Sequence, residues 1–282
     1  MLQCKKTPAQ WSDANQRSTS LMKLNPIQQM LRITELPRAG IEMSALAAVG
    51  PWLTLTPRGD GHPVVVIPGF LASDDSTAIL REYLKFRGYK VYPWGQGRNL
   101  GSVRMGGYQP LVNHVLKIYR ETGRRVSLVG WSLGGVHALA VADRADYAVR
   151  QIITLGSPIN QNDSSNELFE TLQSAARKLN GQVIATPGGK SFGLQDPLKN
   201  ISPTLPITTM YSRGDGVVPW QRSVIEPGSH RENIELYGSH IGLGVNPAVF
   251  YATADRLALP QNGFKAFHRQ GWRGLTYPKP IH

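Results

Sequence analysis

Short β-branched and apolar runs that alternate with helical stretches decide what this chain can fold into. The runs lie at Val64 to Ile67, Tyr89 to Tyr92, Val126 to Val129, Gln151 to Leu155, Ile207 to Tyr211 and Asn233 to Leu236. Helical patterns cover Ser73 or Asp74 to Phe86, Tyr108 to Thr122, Leu133 to Arg144 and Pro247 to Leu257. Strands that are apolar almost continuously are buried on both faces, and helices between them supply the crossovers that parallel pairing needs. The pattern predicts an α/β fold with a mostly parallel central sheet and helices on both faces.

Two stretches break the alternation. Ahead of the first strand, about 60 residues carry only helical signals: a short helix over Ile41 to Val49, stopped by Gly50-Pro51, and another within Leu21 to Leu36. These predict a helical extension, residues 1–60, packed on a main domain of residues 61–260. Between about 160 and 206 there is no strand signal, only a helix over Glu167 to Leu179 and a Gly/Pro-bearing stretch. An insertion of that length between sheet strands predicts a helical lid or cap. Residues 261–282 form a basic tail in which Lys265, Arg269, Arg273 and Lys279 interleave with Phe264, Phe267, Trp272 and Tyr277. The tail is expected either to pack back on the body or to make peripheral contact with an anionic membrane surface.

Composition narrows the partners. The chain has 31 Lys+Arg against 19 Asp+Glu, a net charge of +12, which favours anionic surfaces or substrates. The charges are scattered and no nucleic-acid-binding pattern accompanies them, so nucleic acid is not expected as a partner. Cys4 is the only cysteine, which rules out an intrachain disulfide and a cysteine-based zinc site. No signal-peptide pattern opens the chain and no window approaches roughly 18 consecutive apolar residues, so a cytoplasmic location is expected. WGQGRNLG, Gly95 to Gly101, spaces its glycines G-x-G-x-x-x-G and opens no helix, which departs from the dinucleotide fingerprint. Asp74 and Asp75 read as helix caps rather than a metal pair. Neither a cofactor nor a metal is expected.

The chemistry centres on GWSLGG, residues 130 to 135. In a glycine-rich chain this pattern alone is weak, but here a buried strand precedes it and a helix follows. A sharp strand-to-helix turn needs small neighbours, supplied by Gly130 and Gly134, and it lifts the Ser132 hydroxyl out at the carboxyl end of the sheet. A lone hydroxyl is a poor nucleophile, so a base must take its proton and a third group must orient that base. Asp215, in YSRGDGVVPW, and His240, in LYGSHIGLG, each lie just past a predicted strand, on the same edge as Ser132. Asp215 also reads as a turn former, with Glu226 and Glu235 as weaker substitutes, and His230 precedes the last strand and so lies on the opposite side. His137 and His114 read as helix residues, packed or partly exposed.

In these motifs the chain resembles the α/β-hydrolase fold, and in particular its bacterial lipase or esterase-like members. The resemblance covers about residues 60 to 260, through VVVIPGF, GWSLGG, SRGDGVVP and GSHIGL. It implies Ser132 as nucleophile, Asp215 as acid and His240 as general base, with the backbone N–H groups of Phe70 and Leu133 as the oxyanion hole. Where many lipases carry His-Gly, this chain has Pro68-Gly69, so the contact made by that histidine is absent. The expected activity is hydrolysis of small-molecule or lipid carboxylic esters through an acyl-enzyme on Ser132. An acyltransferase with the same triad and a non-catalytic binding protein are the alternatives.

Overall fold

The computed structural model describes residues 26–102, 106–160 and 198–280. Most of the predicted lid, including the helix over 167–179, lies outside the described residues, as do residues 1–25.

Six strands form one sheet: β1 (Pro63–Ile67), β2 (Lys90–Pro93), β3 (Val126–Trp131), β4 (Val149–Leu155), β5 (Ile207–Tyr211) and β6 (Arg231–Glu235). Their spatial order is β2-β1-β3-β4-β5-β6, and every neighbouring pair runs parallel. All six predicted runs are present, with boundaries shifted by a few residues. The chain winds outward from β1 to β2, then crosses back to β3 on the other side of β1. The loops leaving β1 and β3 therefore diverge, and the crevice at their carboxyl ends is where open α/β sheets bind ligands.

The pleat sorts side chains onto two cores. Val65 and Ile67 of β1, with Leu128 and Ile152, pack under α4 (Gln109–Thr122) and α5 (Leu133–Ala145). Val64 and Val66, with Val129, Ile153, Met210 and Ile234, face α2 (Glu35–Leu53), α3 (Ala78–Phe86) and α6 (Pro247–Leu257). Each such side chain contributes about 1.5–3 kcal/mol on burial. α5 is buried almost all round, from Leu133 through Ala142, as a helix without a polar face must be.

Three local expectations are corrected. The first extension helix, α1 (Pro26–Ile33), is followed by α2, which begins six residues earlier than predicted and runs through Gly50-Pro51 to Leu53. Pro37 sits at the third helical position, where an N–H has no intrahelical acceptor in any case. Pro51 lies two residues from the end, and burial of Leu46 and Leu53 offsets its cost of about 3 kcal/mol. Asp74 caps no helix: Asp74–Thr77 is a 3-10 turn, and the carboxylate accepts the N–H groups of Trp94 (2.9 Å) and Gly95 (3.2 Å). It fastens the glycine-rich loop instead. Asp75 accepts the Ser73 hydroxyl at 3.1 Å.

In the tail, Phe267 and Tyr277 are buried on α6, where the Tyr277 hydroxyl donates to the Ala248 carbonyl at 2.8 Å. Trp272 stays exposed. Among the described residues, no helix is long and apolar enough to cross a membrane.

At the amino end of the sheet the turn before β1 forms a polar network. His62 Nδ1 meets Asp60 at 2.5 Å, and His62 Nε2 meets the Ser127 hydroxyl at 2.7 Å. Arg124 and Arg150 donate to Asp60 at 2.8 and 2.7 Å. His62 and Ser127 are fully buried. Burial, helped by the Arg150 and Arg124 charges, pushes His62 down to about 4 against the pull of Asp60, so it is neutral at pH 7.

Candidate active site

Ser132 follows β3 directly and has φ 53° and ψ −123°, a conformation that L-residues avoid and that costs on the order of 1–3 kcal/mol. The neighbours explain how it is held. A Cβ on Gly130 would run into the backbone of Gly134 and Gly135, one on Gly134 into the Ile67 carbonyl, and one on Gly135 into the Ser157 side chain. The helix start is thus wedged against β1 and β4 by three bare positions. The Ser132 N–H donates to the Leu155 carbonyl at 2.8 Å.

The loop after β1 lies against this turn: a Cβ on Gly69 would fall 3.2 Å from the Ser132 Cβ. Without the histidine of many lipases, the loop takes its shape from Asn99, fully buried in the glycine-rich segment. Asn99 donates its side-chain N–H to the Pro68 carbonyl at 2.9 Å, and its backbone carbonyl accepts the Leu71 N–H at 2.7 Å. Leu71 has φ 63°. Phe70, half-buried between these anchors, donates its N–H to no partner among the described residues. Leu133 opens α5, where the N–H has no intrahelical acceptor.

Asp215 and His240 are in direct contact. His240 Nδ1 meets Asp215 Oδ2 at 2.6 Å, while Asp215 Oδ1 accepts the N–H groups of Val217 and Val218 at 2.8 and 2.7 Å. Asp215 is therefore both turn former and histidine partner. With the carboxylate accepting from Nδ1–H, Nε2 is left as the proton acceptor. His240 is pulled two ways. Burial favours the neutral ring, but the Asp215 carboxylate, aided by the Glu35 charge, outweighs it and raises the pKa above the usual value.

Trp131 connects the halves. Its indole lies 6.3 Å from the His240 ring, centre to centre, and donates to the His240 carbonyl at 3.1 Å. Gly156, just past β4, passes so close that a Cβ there would sit 3.0 Å from Asp215 Oδ2 and 3.2 Å from His240 Nδ1. Ser132, Asp215 and His240 thus follow β3, β5 and β6 on one edge of the sheet. The structure joins Asp215 to His240; among the described residues, no hydrogen bond joins Ser132 Oγ to His240.

The other candidates lie elsewhere. Glu235 accepts from Tyr211 and Arg213, Glu226 is exposed, and His230, before β6, packs its ring at a tilt against Phe264. His137 is buried between Trp94 and Tyr108, and burial alone lowers it to about 4. His114 Nε2 meets the Pro93 carbonyl at 3.0 Å. Among the described residues, no group of three or more His, Cys, Asp or Glu side chains is placed to hold a metal ion.

Sequence reasoning missed Asn99, whose role depends on a long-range contact with no local pattern. It also missed the charged face of α2. Glu35, Arg38 and Glu42 fall at i, i+3 and i+7, a spacing that lines one side of a helix.

The parallel sheet and its helices have the arrangement of the α/β-hydrolase fold, and the comparisons agree on that fold. The chain has the α/β-hydrolase fold. Residues 106–211, which include the serine turn, match the family model of the PGAP1-like alpha/beta domain. TT1662 from Thermus thermophilus superposes with a TM-score of 0.52 at 14% identity, covering 71% of this chain and 88% of that one. Aspergillus fumigatus lipase B gives 0.52 at 15% identity, covering 72% of this chain and 54% of the lipase. No curated protein sequence matches the chain.

Proposed function

We propose that the protein is a serine hydrolase of carboxylic esters that works through an acyl-enzyme on Ser132. The observation that carries this reading is the positive-φ serine on the same sheet edge as a buried aspartate–histidine pair 2.6 Å apart. Ser132 Oγ attacks the ester carbonyl carbon while its proton passes to Nε2 of His240. In an unliganded site that contact is often long and tightens when substrate binds. The carbonyl π electrons move onto oxygen, where the Phe70 and Leu133 N–H groups stabilise the charge. The intermediate then collapses, the bond to the alkoxy oxygen breaks, and His240 returns the proton to the leaving alcohol. Water repeats the sequence on the acyl-enzyme, giving its proton to His240, and the carboxylic acid leaves as Ser132 regains its hydrogen. Asp215 fixes the ring tautomer and stabilises the imidazolium at each stage.

The test is hydrolysis of p-nitrophenyl esters from acetyl to palmitoyl by the wild type and Ser132→Ala. Turnover that disappears with the hydroxyl supports the reading. No turnover of any chain length by the folded wild type counts against it.

A further inference from the structure

The N-terminal helices grip both loops of the proposed catalytic pair. On α2, the Glu35 carboxylate is buried, with only 3% of the residue exposed. Its Oε1 accepts the N–H of Gly216 at 2.8 Å, and its Oε2 accepts the N–H of Ile241 at 2.9 Å. Gly216 directly follows Asp215, and Ile241 directly follows His240. The residues on the other side of each are held by the same helix face. Arg38 donates to the Gly214 carbonyl at 2.6 Å and to Glu35 at 2.9 Å. Glu42 accepts both the N–H and the hydroxyl of Ser239 at 2.7 Å, and also the Asn246 side chain at the start of α6. α1 completes the grip: a Cβ on Gly216 would fall 2.6 Å from the Leu31 carbonyl oxygen.

One carboxylate thus ties the backbone beside the acid to the backbone beside the base. We propose that Glu35 is a positioning residue of the catalytic site, setting the separation of the Asp215 and His240 loops and placing a second negative charge near the imidazole. This rests on the ester-hydrolase reading, because positioning has a kinetic meaning only if His240 moves protons. A purely structural strut would hold the loops without biasing the ring. Glu35 is instead one of two carboxylates that favour the imidazolium. Among the described residues, the charged groups around the His240 loop are Asp215 after β5 and Glu35, Arg38 and Glu42 on α2. Among the same residues, β3 and the turn after it offer the Trp131 indole and the Ser132 hydroxyl, and β4 is followed by Gly156.

The experiment compares wild type, Glu35→Gln and Glu35→Asp in fluorophosphonate labelling, melting temperature and the pH profile of kcat/KM. Gln keeps one acceptor, loses the other and removes the charge. E35Q is expected to lower kcat by about 10- to 100-fold, with KM within about twofold. Its acid limb moves to lower pH, because that limb reports the base and the base has lost a charge that favoured its protonated form. E35D keeps the charge but is one methylene too short to reach both N–H groups. It should lose kcat while its limb stays near the wild-type position.

If wild-type Ser132 takes up no label, the hydrolase reading falls and this proposal falls with it. If the wild type labels and turns over while E35Q keeps its kcat and its limb, only the role of Glu35 is overturned. Loss of activity in E35Q that tracks melting, with the limb unmoved, also overturns it. Should E35Q not fold, E35D decides alone: wild-type kcat overturns the proposal, and reduced kcat with a wild-type limb supports it.

Discussion

The two ends of β3 each carry a serine with a histidine–aspartate pair in its neighbourhood. At the amino end, Asp60, His62 and Ser127 are joined by unbroken hydrogen bonds of 2.5 and 2.7 Å. At the carboxyl end, only Asp215 and His240 are bonded, and Ser132 stands on a strained turn beside them. By hydrogen bonding alone, the first trio is the better formed. Yet Ser127 lies inside β3, just past a register shift against β4, opposite Val64 and Gln151, with no exposed surface. Ser132 borders a helix start and the loop that carries Phe70, and in the proposed mechanism both supply backbone N–H groups to the developing negative charge. The contrast teaches that three side chains in line do not make a site. In the proposed reading the backbone around the serine does, by holding it on a positive-φ turn with N–H donors nearby.

Replacing each serine by alanine breaks the comparison most sharply. Ser132→Ala should reduce kcat/KM for a p-nitrophenyl ester by about 10⁴-fold or more, whereas Ser127→Ala should leave it within about twofold. Equal losses in the two variants would erase the distinction. The strained turn can be probed without touching a side-chain oxygen. Gly134→Ala forces a methyl into the Ile67 carbonyl, and because backbone cannot swing aside it should cost at least about 3 kcal/mol in chemical denaturation. A variant as stable as the parent would show that the wedge between α5 and β1 is not needed.

Acid separates the two histidines. Native His62 stays neutral down to about pH 4, while an unfolded histidine takes up a proton near 6.5. Between those values the unfolded chain binds more protons, so stability should fall as pH drops from 6.5 toward 4, by on the order of 3 kcal/mol. His137, also lowered to about 4, acts in the same direction. His240 is shifted the other way: its contribution is full below 6.5 and is lost as pH rises through its native value. A melting temperature flat from pH 7 to 4.5 would contradict this. The smallest effect is expected from Ser127→Ala on stability, about 1–3 kcal/mol for leaving His62 Nε2 buried without a partner.

Much of the carboxyl edge was legible in the sequence. Strand-to-helix order, the glycines around Ser132 and the positions of Asp215 and His240 just past strands are local patterns, and each strand lies within a few residues of its predicted place. The amino-end trio was not legible, because Asp60 belongs to a Pro/Gly turn stretch, His62 carries no local signal and Ser127 is one residue of an apolar run. Only the pairing of β1 with β3 brings them together. The α2 splint was hidden for a related reason. Gly50-Pro51 reads as a stop, and the spacing of Glu35, Arg38 and Glu42 carries no meaning until loops nearly 200 residues away fold onto that face.

The most direct test is to react the intact protein with a fluorophosphonate and locate the adduct by peptide mass spectrometry. The account predicts one adduct, on Ser132, abolished in His240→Ala and unaffected by His62→Ala. An adduct on Ser127, or none on the folded protein, would contradict it.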